Sequence, residues 1–183
     1  MKTLIVYYSY THNNEVLANV LQEKLKCDIF KIEEVKKRNA FAIMLDLVFN
    51  RIPKIKPRLF DVGSYDRYIF VAPIWAGKIA SPLKTFLVEE RFYISDYSFI
   101  TICGGQTDQK EKLVTNLTKI LGHEPSLVQE LSINNLLSGD KKNTMKYTSS
   151  YRIQSDDMIK FNVAIDDFLR GGKASDARER KAG

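Results

Sequence analysis

The feature that most constrains this chain is an alternation of two kinds of segment. Thr3-Leu-Ile-Val-Tyr-Tyr8, Arg67-Tyr-Ile-Phe-Val-Ala72 and Ser98-Phe-Ile-Thr-Ile-Cys103 are short runs rich in β-branched and aromatic residues, without regular polar alternation. A strand of that composition is covered on both faces, which is the environment of a parallel sheet. Cys27–Ile32 and Leu127–Ile133 read as two further strands. Helix-length stretches with one apolar stripe lie between and after these runs. Asn13–Leu25 places Val16, Leu17, Val20, Leu21 and Leu25 on one face. A helix starts near Ser81-Pro82, with Ser81 as its cap and Pro82 in the first turn. Gln109–Leu121 turns Leu113, Leu117, Ile120 and Leu121 inward and is closed by Gly122. A last helix is predicted over Asp156–Leu169, capped by Ser155, with Met158, Phe161, Ile165 and Phe168 buried.

Strands that alternate with helices specify an α/β fold, a parallel sheet with helices on both faces. Five such strands fit the doubly wound order 2-1-3-4-5. The length of 183 residues predicts one domain, residues 1–169, and the Gly-, Ala- and charge-rich tail 170–183 is expected to be disordered. The least regular part is Glu33–Asp66, with one predicted helix over Ala40–Phe49 and breaks at Pro53 and Pro57. Pro73–Lys78 and the polar Leu136–Ser155 both read as loops. Cys27 and Cys103 form no metal-ligand spacing and read as reduced thiols of a cytoplasmic protein. Nothing resembles a secretory leader, and the most apolar window is interrupted by Asp46, far short of the ~20 residues of a spanning helix.

In the order 2-1-3-4-5 the winding reverses between strands 1 and 3, and a ligand crevice opens beyond their carboxyl ends. Three loops meet there. Ser9-Tyr10-Thr11-His12-Asn13-Asn14 leads into the first helix, whose N–H groups and dipole suit an anion. The hydroxyls of Ser9 and Thr11 and the amides of Asn13 and Asn14 add neutral donors, suited to a phosphate held without Lys or Arg. The alternative is an ordinary cap formed by Thr11 or Asn13. Pro73-Ile74-Trp75-Ala76-Gly77-Lys78 holds the only Trp, which can cover a flat aromatic ligand while Gly77 permits close backbone approach. Cys103-Gly104-Gly105-Gln106-Thr107 can turn N–H groups toward the polar edge of such a ring, or can be a plain glycine-rich turn.

These residues carry a resemblance. Leu4-Ile-Val-Tyr-Tyr-Ser-Tyr-Thr-His-Asn-Asn14 is similar to the flavodoxin phosphate loop, whose pattern is Ser/Thr-x-Thr-Gly-Asn-Thr after the first strand. Ala72-Pro-Ile-Trp-Ala-Gly-Lys-Ile-Ala-Ser-Pro-Leu-Lys-Thr-Phe-Leu87 resembles the matching segment of flavodoxin-like oxidoreductases and is the more specific match. The resemblance spans about residues 1–169 and implies a flavodoxin-like fold that binds flavin mononucleotide (FMN) non-covalently. It implies that Ser9, Thr11, Asn13 and Asn14 hold the phosphate, helped by the backbone N–H groups of Tyr10 and His12. It places Pro73, Trp75, Ala76 and Gly77 along the ring, with Ile74 and Lys78 in the same loop, and Cys103, Gly104, Gly105 and Gln106 at the ring's other side. The implied activity is electron transfer through the flavin, with an oxidoreductase acting from a nicotinamide donor to a quinone-like acceptor ahead of a one-electron carrier. A flavin-free binding module on the same fold is the remaining alternative.

The chain departs from that pattern in three ways. His12 stands where the family has Gly; if the position needs positive φ, His is among the few other residues that adopt it. The 103–107 loop lacks the Tyr that simple flavodoxins stack on the ring. The net charge is +6, whereas electron-shuttling flavodoxins are acidic. Residues 31–58 hold eight basic against three acidic residues, +5 of that total, interleaved with Phe41, Ile43, Met44, Leu45, Leu47, Val48 and Phe49. They read as a helix with solvated lysines around it; peripheral membrane contact through them is the less favoured reading. The expected partners are a small-molecule redox donor or acceptor, or a redox protein. Nucleic acid is not expected, because the basic residues cluster in one insertion without a nucleic-acid-binding motif. No catalytic triad, paired carboxylates or metal-ligand cluster is visible, so no acid–base residue is assigned.

Overall fold

The computed structural model describes residues 1–36, 39, 43–45, 49, 51–104 and 109–171. Five strands, β1 (Thr3–Tyr7), β2 (Asp28–Lys31), β3 (Arg67–Val71), β6 (Tyr97–Cys103) and β7 (Leu127–Ser132), form one parallel sheet in the order β2-β1-β3-β6-β7. Counting only these strands, the order is 2-1-3-4-5, the flavodoxin-like doubly wound arrangement. The connecting helices are α1 (Asn13–Leu25), α2 (Ser81–Glu90) and α3 (Lys110–Leu121). After β7 come a short α4 (Met145–Ser150), a 3-10 segment Ser155–Phe161 and a helix over residues 162–171.

The unbroken apolar runs are explained by burial on both faces. Alternate strand residues Leu4, Val6, Tyr68, Phe70 and Phe99 pack with Leu83, Phe86 and Leu87 of α2 and Leu113 and Leu117 of α3. Their neighbours Ile5, Ile69, Val71, Ile100 and Ile102 pack on the other face with Leu17 and Leu21 of α1 and with Met158, Phe161, Ile165 and Phe168 near the chain's end. Burying each such side chain stabilises the fold by about 1.5–3 kcal/mol, so neither helical layer is dispensable. Gly122 closes α3 at φ 86°, as expected of a left-handed cap. Both cysteines are unbridged.

Several boundaries differ from the sequence reading. Pro73–Lys78 is part of a hairpin, β4 (Ile74–Trp75) pairing with β5 (Lys78–Ile79), because Ala76 (φ 49°) and Gly77 (φ 75°) both adopt the left-handed conformation that matches strand twist. The hairpin base moves the start of α2. Ala80 donates its N–H to Pro73 O (3.0 Å) and is itself the cap, so Ser81 is the first helical residue. The final helix is capped by Gln154, through reciprocal bonds with Asp157, and its first turns are 3-10. Leu136–Ser155 contains α4, which the polar composition hid. Its approach is braced by Asn134, whose amide donates to Asn143 Oδ1 (3.0 Å) and accepts from Asn143 N (2.8 Å).

The insertion after β2 is closed at its base by an antiparallel bridge between Glu34 and Ile55, with Val35 N donating to Lys54 O (3.1 Å) and Lys56 N to Glu33 O (2.7 Å). Residues 43–45 are helical; most of the predicted Ala40–Phe49 helix, and residues 172–183 of the predicted tail, lie outside the described residues. Much of the charge at this base is neutralised, since Lys31 pairs with Glu15, Lys56 with Glu33 and Arg58 with Glu90. Among the described residues no helix is long and apolar enough to cross a membrane.

Candidate functional site

Tyr8 makes the last contact between the ends of β1 and β3, its N–H donating to Val71 O (2.9 Å). The chain then leaves the sheet through Ser9–Asn14. Ser9 Oγ is buried and has no hydrogen-bond partner among the described residues. His12 occupies the cap position at φ 68° and ψ −12°, and no side chain caps the helix. The condition stated for His12 is therefore met, and neither Thr11 nor Asn13 is the cap. Among the described residues the Asn13 and Asn14 N–H groups find no side-chain acceptor, while Glu15 N–H bonds to His12 O (3.0 Å), and the helix dipole adds positive potential there.

Asn13 and Asn14 differ from their expected role. The Asn14 carboxamide donates to Ile102 O (3.2 Å) and accepts from Ile102 N (2.9 Å). Val71, at the end of β3, pairs with Ile100, so Ile102 lies beyond the partner strand and the Asn14 amide takes the place of the missing peptide. The Asn13 carboxamide donates to Tyr151 O (3.0 Å) and accepts from Ile153 N (3.0 Å). Both side chains staple the loop to the protein, so what residues 13 and 14 offer a ligand is backbone N–H.

Glu15, in the first turn of α1, is the hub of the loop's outer side. It accepts from Lys31 Nζ (2.8 Å) and Tyr7 OH (3.0 Å) and lies 2.7 Å from His12 Nδ1. Lys31, followed by His12 and Tyr7, holds its carboxyl below the ordinary value of 4.5 against the opposing effect of burial. Burial and the bond to Glu15 raise the Tyr7 phenol. A folded-state value below the unfolded one stabilises the protein above about pH 4.5 and loses that contribution as pH falls through the folded value. Glu15→Gln is accordingly expected to flatten the decline of the urea midpoint below pH 4.5; an unchanged acid limb would show that Glu15 contributes nothing to it.

His12→Gly removes a left-handed non-glycine residue, which costs about 1–2 kcal/mol, and an exposed contact to Glu15 worth about 1 kcal/mol or less. Stability is expected to stay level or rise by about 1 kcal/mol in chemical denaturation. A loss of more than about 1 kcal/mol would mean that the imidazole contact outweighs the strain.

The hairpin brings Trp75 to the same opening. Its ring meets Tyr8 (centroids 5.9 Å apart) and Tyr10 (6.2 Å) edge-on, both at 87°. Trp75 and Ile74 are half-buried against the core, Pro73 fastens the hairpin base, and Lys78 is exposed. At the tip, a Cβ on Gly77 would lie 3.6 Å from Gln109 Oε1 and 3.8 Å from Lys112 Cδ. The second loop therefore touches the start of α3, where the third loop ends.

Of that third loop, Cys103 and Gly104 are described, whereas Gly105, Gln106 and Thr107 lie outside the described residues. Burial, reinforced by Glu130, pushes the Cys103 thiol up to about 12, so it stays protonated and is no nucleophile. Glu130 also accepts the Gln109 N–H (3.0 Å). A Cβ on Gly104 would stand 3.0 Å from Thr148 O, so α4 packs directly against this backbone. The sequence reading missed the wall formed by Thr148, Tyr151 and Ile153. Only the paired asparagines hinted at it, and they suit a ligand equally well.

No family model and no curated protein matches the chain. Solved structures share the fold. A flavoprotein from Lactobacillus acidophilus NCFM, solved in complex with FMN, superposes at a TM-score of 0.62 and 19% identity, covering 70% of this chain and 92% of that one. The apo form of the flavoprotein from the same organism gives 0.57 at 21% identity, covering 70% and 91%. A Bacteroides eggerthii DSM 20697 protein gives 0.62 at 18% identity, covering 76% and 91%.

Proposed function

We propose that this chain binds FMN non-covalently where β1 and β3 end and works as a redox protein through it. The observation that carries the proposal is Ser9 Oγ, a buried hydroxyl without a hydrogen-bond partner among the described residues, just ahead of a helix whose cap residue makes no side-chain bond. A buried donor left unmade costs about 1–3 kcal/mol, and a phosphate oxygen would satisfy it. The Lactobacillus flavoprotein of the same fold was solved with FMN, which supports the choice of anion.

In this reading Ser9, Thr11 and the N–H groups of residues 10–14 hold the phosphate with neutral donors. Asn13 and Asn14 fix the loop, and Trp75 and Tyr10 border the ring, with Ala76-Gly77 at its edge. Cys103 and Gly104 back the far side, where the proposed role of Gly105 and Gln106 also falls. FMN supplies hydride and electron chemistry; the protein supplies position and electrostatics. The donor proposed is a nicotinamide cofactor and the acceptor a quinone. A one-electron carrier without substrate turnover of its own is the second reading.

Purified full-length protein is expected to be yellow and to release FMN on denaturation. Steady-state oxidation of NADH or NADPH with a quinone then separates the two readings. Turnover supports the enzyme, and its absence in flavin-loaded protein supports the carrier.

A further inference from the structure

The carboxyl edge of the sheet carries cations that have no carboxylate partner among the described residues. Lys78 at the hairpin, Lys112 at the start of α3, Lys141 and Lys142 before α4, Lys146 within it and Arg152 after it are all exposed. None of the six forms an ion pair with a carboxylate among the described residues. Lys141 and Lys146 lie over the Tyr147 ring, each 5.8 Å from its centroid, and Arg152 donates only to backbone oxygens of Ser149 and Tyr151. Exposed acids on the same segments are Glu111, Asp140 and Asp156, and Glu33 beyond β2 is paired with Lys56.

The opposite edge carries acidic residues among its strand starts. Asp28, Asp66 and Asp96, at the amino ends of strands, engage Lys2 Nζ (3.7 Å), the Lys2 N–H (2.6 Å) and Arg67 (2.7 Å). Exposed cations without a carboxylate partner among the described residues also occur there, at Lys26, Arg91 and Lys119, but they stand singly at the ends of separate helices, whereas five of the six at the carboxyl edge lie in the hairpin and the α4 region or within one turn of it. The placement is fixed by the contacts of Asn13 with Tyr151 and Ile153, of Gly104 with Thr148, and of Gly77 with Lys112.

We infer that this rim is the docking surface for an acidic redox protein, which it orients over the proposed flavin crevice. The inference deepens the cofactor reading and rests on it for the partner's redox character. The cations are spread over the hairpin, α3 and the α4 region, wider than one phosphate group requires. The first residue of α4, Met145, is also exposed, and a protein surface can cover it. Unpaired charges around a site steer an oppositely charged partner and orient it before contact.

The probe is an oxidised acidic [2Fe–2S] ferredoxin, titrated calorimetrically into the flavin-loaded full chain. Binding is expected at low salt and should weaken about tenfold or more by physiological ionic strength. K141A/K142A/K146A should weaken low-salt binding about tenfold, and K78A/K112A severalfold. K24A/K160A, away from this edge, should leave it unchanged. Absent low-salt binding, equal weakening by K24A/K160A, or tighter binding of duplex DNA or phosphatidylserine vesicles would overturn the inference. Repeating the titration with flavin-stripped protein separates the two claims. Unchanged ferredoxin binding by a chain that takes up no FMN sustains the surface while the cofactor reading fails. A flavin-loaded chain that ignores ferredoxin sinks the surface alone.

Discussion

Asn14→Ala is expected to destabilise the protein by about 2–4 kcal/mol, measured as a lower urea midpoint at unchanged slope. The substitution deletes one small exposed-looking polar residue from a loop, yet the side chain is buried and both its amide atoms are used. Ile102 N and Ile102 O lie just past the end of β3, so no strand can replace Asn14 as their partner. Each buried group left without a partner costs about 1–3 kcal/mol. Asn14→Asp keeps the shape but opposes a carboxylate to the Ile102 carbonyl, and should be comparably damaging above the carboxylate's titration range. A loss below about 0.5 kcal/mol for both variants would mean that water or local movement satisfies the strand end, and that the staple does not fix the loop.

Trp75→Ala has the second large effect, and it falls on the ligand. The indole packs edge-on against Tyr8 and Tyr10 and keeps part of its surface at the opening. In the proposed complex it borders the isoalloxazine, and aromatic stacking of this kind is worth about 1–3 kcal/mol per ring. FMN affinity should fall about tenfold to a hundredfold, read by fluorescence titration. Trp75→Phe should restore much of it. An unchanged dissociation constant would place the ring elsewhere in the crevice.

The three central strands β1, β3 and β6 were legible because they are buried on both faces, so each apolar run is unbroken and its length is readable. Asn13–Leu25 was legible for a similar reason, as its stripe matches helical spacing and Leu17 and Leu21 face the core. The hairpin was not. Its turn relies on left-handed Ala76, a conformation that Ala disfavours and that sequence pattern does not announce. α4 was hidden because it has no apolar stripe; it is held by Thr148 against Gly104, a contact between distant positions. In the Ser9–Asn14 loop the positive φ that the sequence raised as a condition at His12 is present, and the asparagine amides bond to backbone. A short amide that can donate and accept suits a ligand and a backbone peptide equally, and only the position of Ile102 and Ile153 decides between them.

The central claim is that the Ser9 hydroxyl, unpartnered among the described residues, and the uncapped start of α1 form the phosphate end of an FMN site. Titrating FMN into flavin-stripped full-length protein tests it most directly. The account predicts saturable one-to-one quenching of flavin fluorescence, with riboflavin, which lacks the phosphate, binding at least tenfold more weakly. A folded chain that shows no saturable FMN binding, or that binds riboflavin as tightly, would contradict it.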